Sequence, residues 1–323
     1  MSGLHPSVVT AARSFYAIGL PAPGAIARKR DVLMPSLPGE RLVIVVADIV
    51  RCSTTLMTCF GAGLQSATVG VKSGGGTARQ QADLIGAAIG AEVVGGGELN
   101  GQPIPGGLIG NSPVQAARVK WAGKHLHFNS TNFGAAFTGV HTLAQEIRGA
   151  GGQVDVVIGC LANSAAIVRR IAAYRYDRVC VATGGFYESA SEEDMIFGGD
   201  IFTGLGCAAA EMDDEARLMK FAAQACPDAE VRLAHLHSNW IGRALDRFGM
   251  GDDVDAIVTG RNLPGHVYAA MSSIIPEVVS IFGEPVITGS PLTLSTLQAT
   301  KPYNRQATYT NNNHNQKGEY VHE

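Results

Sequence analysis

The sequence predicts an α/β fold of three layers (α/β/α), in which a largely parallel or mixed β-sheet lies between two layers of helices. Short runs rich in valine and isoleucine recur along the chain, and LVIVVA at residues 42–47 is the first of them. Apolar stretches of helical length separate these runs, as TARQQADLIGAAIGA does at 77–91. Near-continuous apolar strands that alternate with helices are typical of a sheet covered on both faces.

The alternation assigns the segments in chain order, because β-branched runs favour strands and longer alanine-rich stretches favour helices. The predicted strands are LVIVVA (42–47), SATVGV (66–71), EVVGG (92–96), HLHF (125–128), VDVVIGC (154–160), RVCVAT (178–183) and DAIVT (255–259). The predicted helices are TLMTCFGAGL (55–64), TARQQADLIGAAIGA (77–91), PVQAARVKWA (113–122), NSAAIVRRIAAY (163–174) and the long stretch at 200–226.

The chain divides into three predicted regions. Residues 1–40 hold scattered proline, glycine and basic residues and are expected to form an irregular N-terminal arm. Residues 41–290 carry the alternating pattern and form the α/β domain. Residues 291–323 are polar and asparagine-rich, so they cannot bury enough apolar surface to offset the entropy lost on ordering. We expect this C-terminal tail to be mobile.

Composition excludes several classes of partner. The formal net charge is −3 and charged residues make up 16% of the chain, so we expect neither nucleic acid nor a membrane surface as a partner. No apolar run approaches the roughly 20 residues of a membrane span. Six cysteines without a CxxC pair indicate a reduced, cytoplasmic location. The apolar segment VYAAMSSIIPEVVSIFG (267–283) leaves room for a homo-oligomeric interface.

Four predicted strands run directly into small polar turns that open helices. These segments are VVADIVRCSTT (45–55), HLHFNSTNFGAAF (125–137), VVIGCLANSAAI (156–167) and VCVATGGFYESASEED (179–194). In a parallel sheet the carboxyl ends of the strands meet at one edge, and ligands bind there. Backbone N–H groups at helix starts bind anions, so the turns together predict a phosphate pocket. Each turn taken alone is equally explained as an ordinary helix cap.

Asp48 and Arg51 come directly after the first predicted strand. A carboxylate at this edge can bind Mg²⁺ or attack phosphorus, and a guanidinium can hold phosphate through two hydrogen bonds. A structural ion pair that closes the turn is the alternative. Cys52 is not followed by the arginine that a phosphatase thiolate needs, so we expect a small buried residue there.

Other candidates lie in the remaining turns. Glu98 sits in the glycine-rich stretch 95–113, where the backbone can approach a ligand or metal closely, although a plain surface loop explains it as well. Glu193 and Asp194 open a predicted helix, where they either bind Mg²⁺ or only match the helix dipole. The candidates for anion binding at helix starts are Ser130, Thr131, Asn132 and Asn163.

The order of these motifs resembles the 2-phosphosulfolactate phosphatase family. The motifs are DIVRCSTT, GGELNG, GGLIGNSP, STN, CLANS, ATGGFYESASEED and HSNWIGRALDRFGMGDDVD, from about residue 42 to about residue 257. GNSP and the D-x-x-R-x-S/T-T turn are the most specific of them. The resemblance implies a Mg²⁺-dependent phosphatase of α/β/α architecture that acts on a small phosphorylated, anionic metabolite.

The resemblance also carries positions over to this chain. The matching residues are Asp48, Arg51, Ser53, Thr54, Glu98, Gly110, Asn111, Ser112, Asn132, Asn163, Glu193 and Asp194. Three positions depart from the family pattern: Leu99 stands for an arginine, Leu108 for an acidic residue and Phe133 for a glycine. A pocket that loses a cation and gains a phenylalanine should recognise a sulfonate- and carboxylate-bearing phosphate less well. We therefore predict a different substrate, which is bulkier or less charged.

The predicted function is Mg²⁺-dependent hydrolysis of a small phosphate monoester, with Asp48, Arg51 and Asn111 as catalytic residues. The predicted metal ligands are Asp48 and one or more of Glu98, Glu193 and Asp194. The residues assigned to phosphate and substrate are Ser53, Thr54, Ser112, Ser130, Thr131, Asn132 and Asn163. The nucleophile is either water or Asp48. The alternatives are a lyase or transferase that uses the same pocket, and a non-catalytic binding or scaffold protein.

Overall fold

A computed structural model describes residues 14–19, 23–70, 75–99, 102–186, 189–281 and 284–289 of the chain. Within these residues the α/β prediction is confirmed, because ten strands form one mixed sheet with helices around it. The strands are β1 (Ser14–Ile18), β2 (Arg41–Ala47), β3 (Ser66–Gly70), β4 (Glu92–Leu99), β5 (Gln102–Pro103), β6 (Lys124–Asn129), β7 (Gln153–Ile158), β8 (Arg178–Thr183), β9 (Glu277–Ile281) and β10 (Glu284–Thr288). The α-helices are α1 (Pro23–Leu33), α2 (Cys52–Gly61), α3 (Gly75–Ile89), α4 (Pro113–Ala116), α5 (Asn132–Gly149), α6 (Ser164–Tyr174), α7 (Glu192–Gly204), α8 (Asp214–Ala225), α9 (Ala229–Ser238), α10 (Trp240–Arg247), α11 (Gly251–Thr259) and α12 (Gly265–Met271).

The sheet consists of two parallel blocks joined by an antiparallel hairpin. Its strand order is β1-β8-β2-β7-β9-β10-β3-β6-β4-β5. The first block contains the parallel strands β1, β8, β2 and β7, and the second contains β3, β6 and β4. The hairpin β9–β10 is antiparallel to its neighbours β7 and β3 on both sides. Three successive reversals therefore make the second block run opposite in direction to the first.

The two blocks are connected narrowly, since β7 and β9 share the single residue pair Val157 and Glu277. In a flat sheet, opposed blocks would place their carboxyl ends at opposite edges. The ends of β2 and β4 are nevertheless close, because Arg51 Nη2 lies 3.2 Å from Glu98 Oε2. The strand ends therefore meet at the site although the sheet has no single parallel edge, which corrects the expectation that all these carboxyl ends lie at one edge.

Both faces of the sheet are buried, which explains the near-continuous apolar strands. In β2 the side chains of Ile44 and Val46 enter one hydrophobic core. Those of Val43 and Val45 enter a second core on the other side. Successive side chains of a strand point to opposite faces, so helices must cover both. The helix that follows β2 directly, α2, is itself buried from Cys52 to Phe60.

The N-terminal region is more regular than predicted. Within residues 1–40, β1 pairs in parallel with β8 at the edge of the sheet, and α1 follows it. Phe15 of β1 is 2% exposed, and its ring packs edge-on against Phe202. The prediction of an irregular arm is thus wrong for these elements, because a five-residue strand is too short to stand out from its proline-rich surroundings. Residues 1–13 and the predicted tail 291–323 lie outside the described residues.

Three other elements differ from their predictions, and the first is the helix expected at 113–122, which is only the four-residue α4 (Pro113–Ala116). DAIVT at 255–259 was expected to be a strand but belongs to α11, whose first turn carries Asp252 and Asp253 and so favours a helix start. The long helix expected at 200–226 is two helices, α7 and α8. Gly206 between them has a φ of 69°, a left-handed conformation that commonly ends a helix.

Two findings bear on location without deciding it. Among the residues that the structure describes, no helix combines the length and the apolar character needed to cross a bilayer. All six cysteines are buried and free. The cytoplasmic location, the oligomeric state and the division into three regions stay predictions.

We predict that Phe15→Ala lowers the free energy of unfolding by about 3 kcal/mol, as expected for removing a buried aromatic ring. The exposed Leu37, which is 65% exposed, provides the control Leu37→Ala, and we expect a change within about 0.5 kcal/mol. Urea denaturation followed by circular dichroism measures both. Equal effects of the two substitutions would show that β1 does not belong to the core.

Candidate active site

A cavity of about 270 Å³ lies where the carboxyl ends of β2, β4 and β6 approach α10. One side of it, the polar floor, consists of Asp48, Arg51, Glu98, Asn111, Ser130, Thr131 and Asn132. The other side, the apolar wall, consists of Val50, Phe186, Trp240, Ile241, Ala244, Leu245, Phe248 and Met250. The polar floor thus contains seven of the residues that the sequence marked as candidates, and they come from separate elements of the fold.

Asp48 follows the last residue of β2 and faces the cavity. Its Oδ1 accepts a hydrogen bond from the backbone N–H of Cys52 at 3.4 Å. The hydroxyl of Ser53 donates to the Asp48 carbonyl at 2.8 Å and fixes the backbone of the turn. Gly184 packs so closely that a Cβ at this position would lie 2.8 Å from the Cβ of Asp48. The turn between β2 and α2 therefore holds the carboxylate in one position.

The Asp48 carboxylate lies in a buried, acidic environment. Burial raises the pKa of Asp48 well above its usual range, and the nearby charges of Asp194 and Glu98 raise it further. Carboxylates that repel one another favour either a bound proton or a cation between them. The site is therefore electrostatically suited to a positive partner.

Arg51 is buried at the edge of the polar floor, where only 7% of it is exposed. Its Nη1 donates to Asp253 Oδ2 at 2.9 Å, and its Nη2 donates to Glu98 Oε2 at 3.2 Å. Nη1 also lies 3.0 Å from the Met250 sulfur. A buried guanidinium is stable only when carboxylates compensate for its lost hydration. This one side chain therefore connects the end of β2 with β4 and with α11.

Asp253 is the functional residue that sequence reasoning missed. It is 3% exposed, and besides Arg51 it accepts a hydrogen bond from the Ser112 hydroxyl at 2.6 Å. The sequence signal was the acidic run GDDVD at 251–255 within the last family motif. Which of its three aspartates turns inward depends on the phase of α11, and the buried Val254 on the same helix sets that phase.

Asn111 lies between the cavity and a smaller one of about 190 Å³, and it lines both. It is 5% exposed, and its Oδ1 has no hydrogen-bond partner within the described part of the chain. A buried carbonyl oxygen without a partner costs about 1–3 kcal/mol, so it marks a place where a ligand atom can bind. Ser112 lines the smaller cavity and caps α4, accepting a hydrogen bond from Gln115 N–H at 3.1 Å.

The start of the 18-residue helix α5 opens onto the cavity through Ser130, Thr131 and Asn132. Thr131 stands at the N-cap position but makes no capping hydrogen bond with its side chain. The N–H groups of such a helix start attract an anion. Ser130 also hydrogen-bonds Cys52, a thiol whose pKa burial raises well above its usual value. Cys52 is therefore an unreactive core residue.

Ser53 and Thr54 do not line the cavity, and their assignment to substrate binding stays a prediction. The Ser53 hydroxyl donates to the Asp48 carbonyl at 2.8 Å, and the Thr54 hydroxyl donates to the Ile49 carbonyl at 2.9 Å. Both residues are buried. Their hydroxyl groups close the turn between β2 and α2, and in this way they position Asp48 and Arg51.

Asn163 does not line the cavity either, and its predicted contact with phosphate stays a prediction. Its Oδ1 accepts a hydrogen bond from Cys160 N–H at 2.8 Å. Its Nδ2 donates to the carbonyls of Ile158 at 3.1 Å and Ile274 at 3.2 Å. The side chain is completely buried and bound to backbone on every side. Its role is to join the end of β7 to the segment that precedes β9.

Asp194 and Glu193 do not line the cavity that Asp48 faces, and their assignment as metal ligands stays a prediction. Asp194 Oδ1 accepts from Ile49 N–H at 2.7 Å. Its Oδ2 accepts from Gly185 N–H at 3.0 Å and from the Ser191 hydroxyl at 2.9 Å. These bonds make Asp194 a structural link between two turns. Glu193 lines a separate cavity of about 410 Å³.

Asp48, Glu98 and Asn111 each bring an oxygen-bearing side chain to the same cavity. In the described part of the chain, no three acidic, histidine or cysteine side chains are grouped tightly enough to hold an ion alone. Magnesium commonly uses one or two carboxylates and completes its shell with water and substrate phosphate, so two carboxylates suffice. The free Oδ1 of Asn111 is a third oxygen facing the same cavity.

The structure shows where two of the three departures from the family pattern lie. Phe133 is completely buried and stacks on Phe137 with ring centroids 5.8 Å apart. It belongs to the core, so the expectation that it would change the pocket is wrong. Leu108 is 46% exposed and does not line the cavity. The side chain of Leu99 lies outside the described residues.

Comparison with known proteins identifies the family. The profile of 2-phosphosulpholactate phosphatases matches residues 32–263, which include the whole polar floor. A probable 2-phosphosulfolactate phosphatase of Deinococcus radiodurans is 27% identical over 226 residues, which cover 69% of this chain and 86% of the relative. One of Thermus thermophilus is 25% identical over 256 residues, with 78% and 95% covered. The chain therefore belongs to the 2-phosphosulfolactate phosphatase family, and the resemblance read from its motifs is confirmed.

We predict that Glu193→Gln changes the pH dependence of stability. Burial raises the pKa of Glu193 to about 8, and the charge of Asp194 adds to the rise. An unfolded glutamate titrates near about 4.3, so between these values only the folded protein keeps the proton. The free energy of unfolding of the wild type must then fall as the pH rises through this window.

Urea denaturation at pH 5 and pH 8 measures this effect. Between pH 5 and pH 8 we expect the free energy of unfolding of Glu193→Gln to rise by on the order of 2 kcal/mol relative to that of the wild type. Glu230→Gln, at an exposed glutamate in the first turn of α9, is the matched control and should follow the wild type. Parallel pH profiles for wild type and Glu193→Gln would contradict the prediction.

Proposed function

We propose that this protein is a magnesium-dependent phosphatase that hydrolyses a small phosphate monoester in the cavity between β2, β4, β6 and α10. The observation that carries the proposal is the buried Asp48 carboxylate facing the same cavity as the Arg51 guanidinium and the start of α5. The names of the relatives, probable 2-phosphosulfolactate phosphatases, support the same reaction class.

The phosphate group binds to the polar floor. Arg51 supplies one guanidinium, and the N–H groups at the start of α5 supply further donors beside Ser130 and Asn132. Arg51 already binds Glu98 and Asp253, so an incoming phosphate shares its donors with two carboxylates. A guanidinium held by fixed partners is preorganised, and preorganised donors stabilise the charge that develops during phosphoryl transfer.

Asp48, Glu98 and Asn111 are the residues that would hold the magnesium ion. When bound, the ion neutralises charge on the phosphoryl oxygens and lowers the pKa of a bound water. The raised pKa of Asp48 means that a cation would replace a proton at this carboxylate. Two roles stay open for Asp48, since it either attacks phosphorus itself or positions the water that does so.

The cavity favours a substrate other than one with three anionic groups. Within the described residues, Arg51 is the one cationic side chain that lines it, and Asp48 and Glu98 lie beside it. One guanidinium can bind one phosphate well but leaves a sulfonate or a second carboxylate without a partner. This supports a less charged substrate, independently of Phe133.

We predict that Asp48→Asn lowers kcat for phosphate release by at least about 100-fold, since preorganised charge at the reacting centre is lost. Removing Mg²⁺ with EDTA should have a similar effect on the wild type and little further effect on the variant. The assay measures inorganic phosphate released from a panel of phosphate monoesters. Asp214→Asn makes the same chemical change at a side chain that is 89% exposed, and it should leave the rate unchanged. A rate of phosphate release that changes neither on removal of Mg²⁺ nor in Asp48→Asn would refute the mechanism.

We predict that Arg51→Lys lowers kcat/KM by about 10–100-fold, because a lysine keeps the charge but not the two-pronged donor geometry. Arg79→Lys is the matched control, since Arg79 is 44% exposed and pairs with Asp83 on the surface of α3. Steady-state kinetics on the best substrate of the panel compare the two variants. Equal kcat/KM values for both would exclude Arg51 from phosphate binding.

A further inference from the structure

One face of α10 forms most of the apolar wall. Trp240, Ile241, Ala244, Leu245 and Phe248 all line the cavity, and their spacing of one, three, one and three residues places them on one side of the helix. Arg243, Asp246 and Arg247 do not line it. The helix therefore presents its apolar face directly to the polar floor.

The position of Trp240 is fixed by the sequence around it. Asn239 caps α10, accepting a hydrogen bond from Gly242 N–H at 2.8 Å. A Cβ at Gly242 would lie 1.7 Å from the Leu236 carbonyl oxygen, so only glycine allows α10 to start this close to α9. The Trp240 ring packs on Phe186 with centroids 4.9 Å apart. The indole is thus held at the cavity although 56% of the residue is exposed.

Two exposed aromatic side chains lie on this face of α10. Phe248, at the other end of the same helix face, is 67% exposed. Together with Trp240 it places two of the most exposed large apolar side chains of the described residues beside one small cavity. A contiguous apolar patch next to polar, buried groups marks a binding site.

We propose that the substrate of the cavity is a phosphate monoester that carries an aromatic ring, with its phosphate on the polar floor and its ring on the apolar wall against Trp240. This inference rests on the proposed function and names the substrate class for it. The charges around the cavity support this substrate class. Arg51 already forms ion pairs with Asp253 and Glu98, and the phosphate group of the substrate needs the same guanidinium. The ring, in contrast, finds the aromatic surface that such groups bind well.

The rival interpretation is a second anionic group on the substrate. Arg118 lines the neighbouring cavity of about 190 Å³ and could receive a carboxylate there. That cavity, however, is also lined by Glu98, Asp252 and Asp253, so carboxylates outnumber its two guanidinium groups. An added anion would be repelled more than attracted. We therefore assign the second part of the substrate to the apolar wall.

Binding of two phosphonates tests the ligand class without any turnover. Phenylphosphonate and methylphosphonate differ only in the ring, and calorimetry in the presence of Mg²⁺ gives both dissociation constants. We expect phenylphosphonate to bind the wild type about 10-fold more tightly. Quenching of tryptophan fluorescence is a second readout, since the only other tryptophan, Trp121, is completely buried.

Three variants make the test specific. Trp240→Ala should abolish the preference for phenylphosphonate and leave the affinity for methylphosphonate unchanged. Phe248→Ala, at an exposed position where loss of folding is not expected, should reduce the same preference. Phe221→Ala removes an aromatic ring that is 64% exposed on α8, outside the cavity, and should change neither constant. Equal affinity of the wild type for the two phosphonates would overturn the inference.

Turnover separates this inference from the proposed function. Benzyl phosphate and 2-phosphoglycolate are both alkyl esters, and we expect kcat/KM to be at least about 10-fold higher for benzyl phosphate. A preference for phenylphosphonate without phosphate release from any ester would support an aromatic ligand and refute the proposed phosphatase activity. The opposite outcome is phosphate release with a preference for 2-phosphoglycolate, and loss of that preference in Arg118→Ala. It would support the proposed phosphatase activity and refute the aromatic substrate.

Discussion

The buried guanidinium of Arg51 is the interaction on which the rest of the site depends. It binds Asp253 at 2.9 Å and Glu98 at 3.2 Å, so the ends of β2 and β4 and the first turn of α11 are joined through one charge. The guanidinium could not be buried without carboxylates that compensate for its lost hydration. The ends of β2 and β4, the first turn of α11 and the proposed phosphate site therefore share one anchor.

Sequence patterns predicted what is local and missed what depends on distant contacts. The buried strands and the turn that carries Asp48 and Arg51 are encoded by adjacent residues, namely apolar β-branched runs that break into small polar ones. The partners and directions of the hairpin β9–β10 and of the short β1 are decided instead by neighbours far along the chain. The opposed direction of the second block is likewise a property of the hairpin alone.

The candidate site shows the same division at the level of single residues. Polar side chains at helix starts cannot be told apart in a sequence. In the structure, Asn163 and Asp194 form hydrogen bonds with backbone groups. The Oδ1 of Asn111, in contrast, has no hydrogen-bond partner within the described residues. Sequence identifies such residues as polar groups that need partners, but only packing decides whether the partner is the backbone or a ligand. Asp253 was missed for the converse reason, since helix phase alone separates it from its acidic neighbours.

The central place of β9–β10 also has a consequence for how the chain is made. Residues 277–288 supply the two strands that stand between the blocks, although they are synthesised after every other strand of the described sheet. Until they leave the ribosome, β7 and β3 each present an unpaired edge, and unpaired edges recruit strands from other chains. The nascent protein thus carries both unpaired edges from the synthesis of β7 until residues 277–288 follow, so completion of the sheet depends on one late segment.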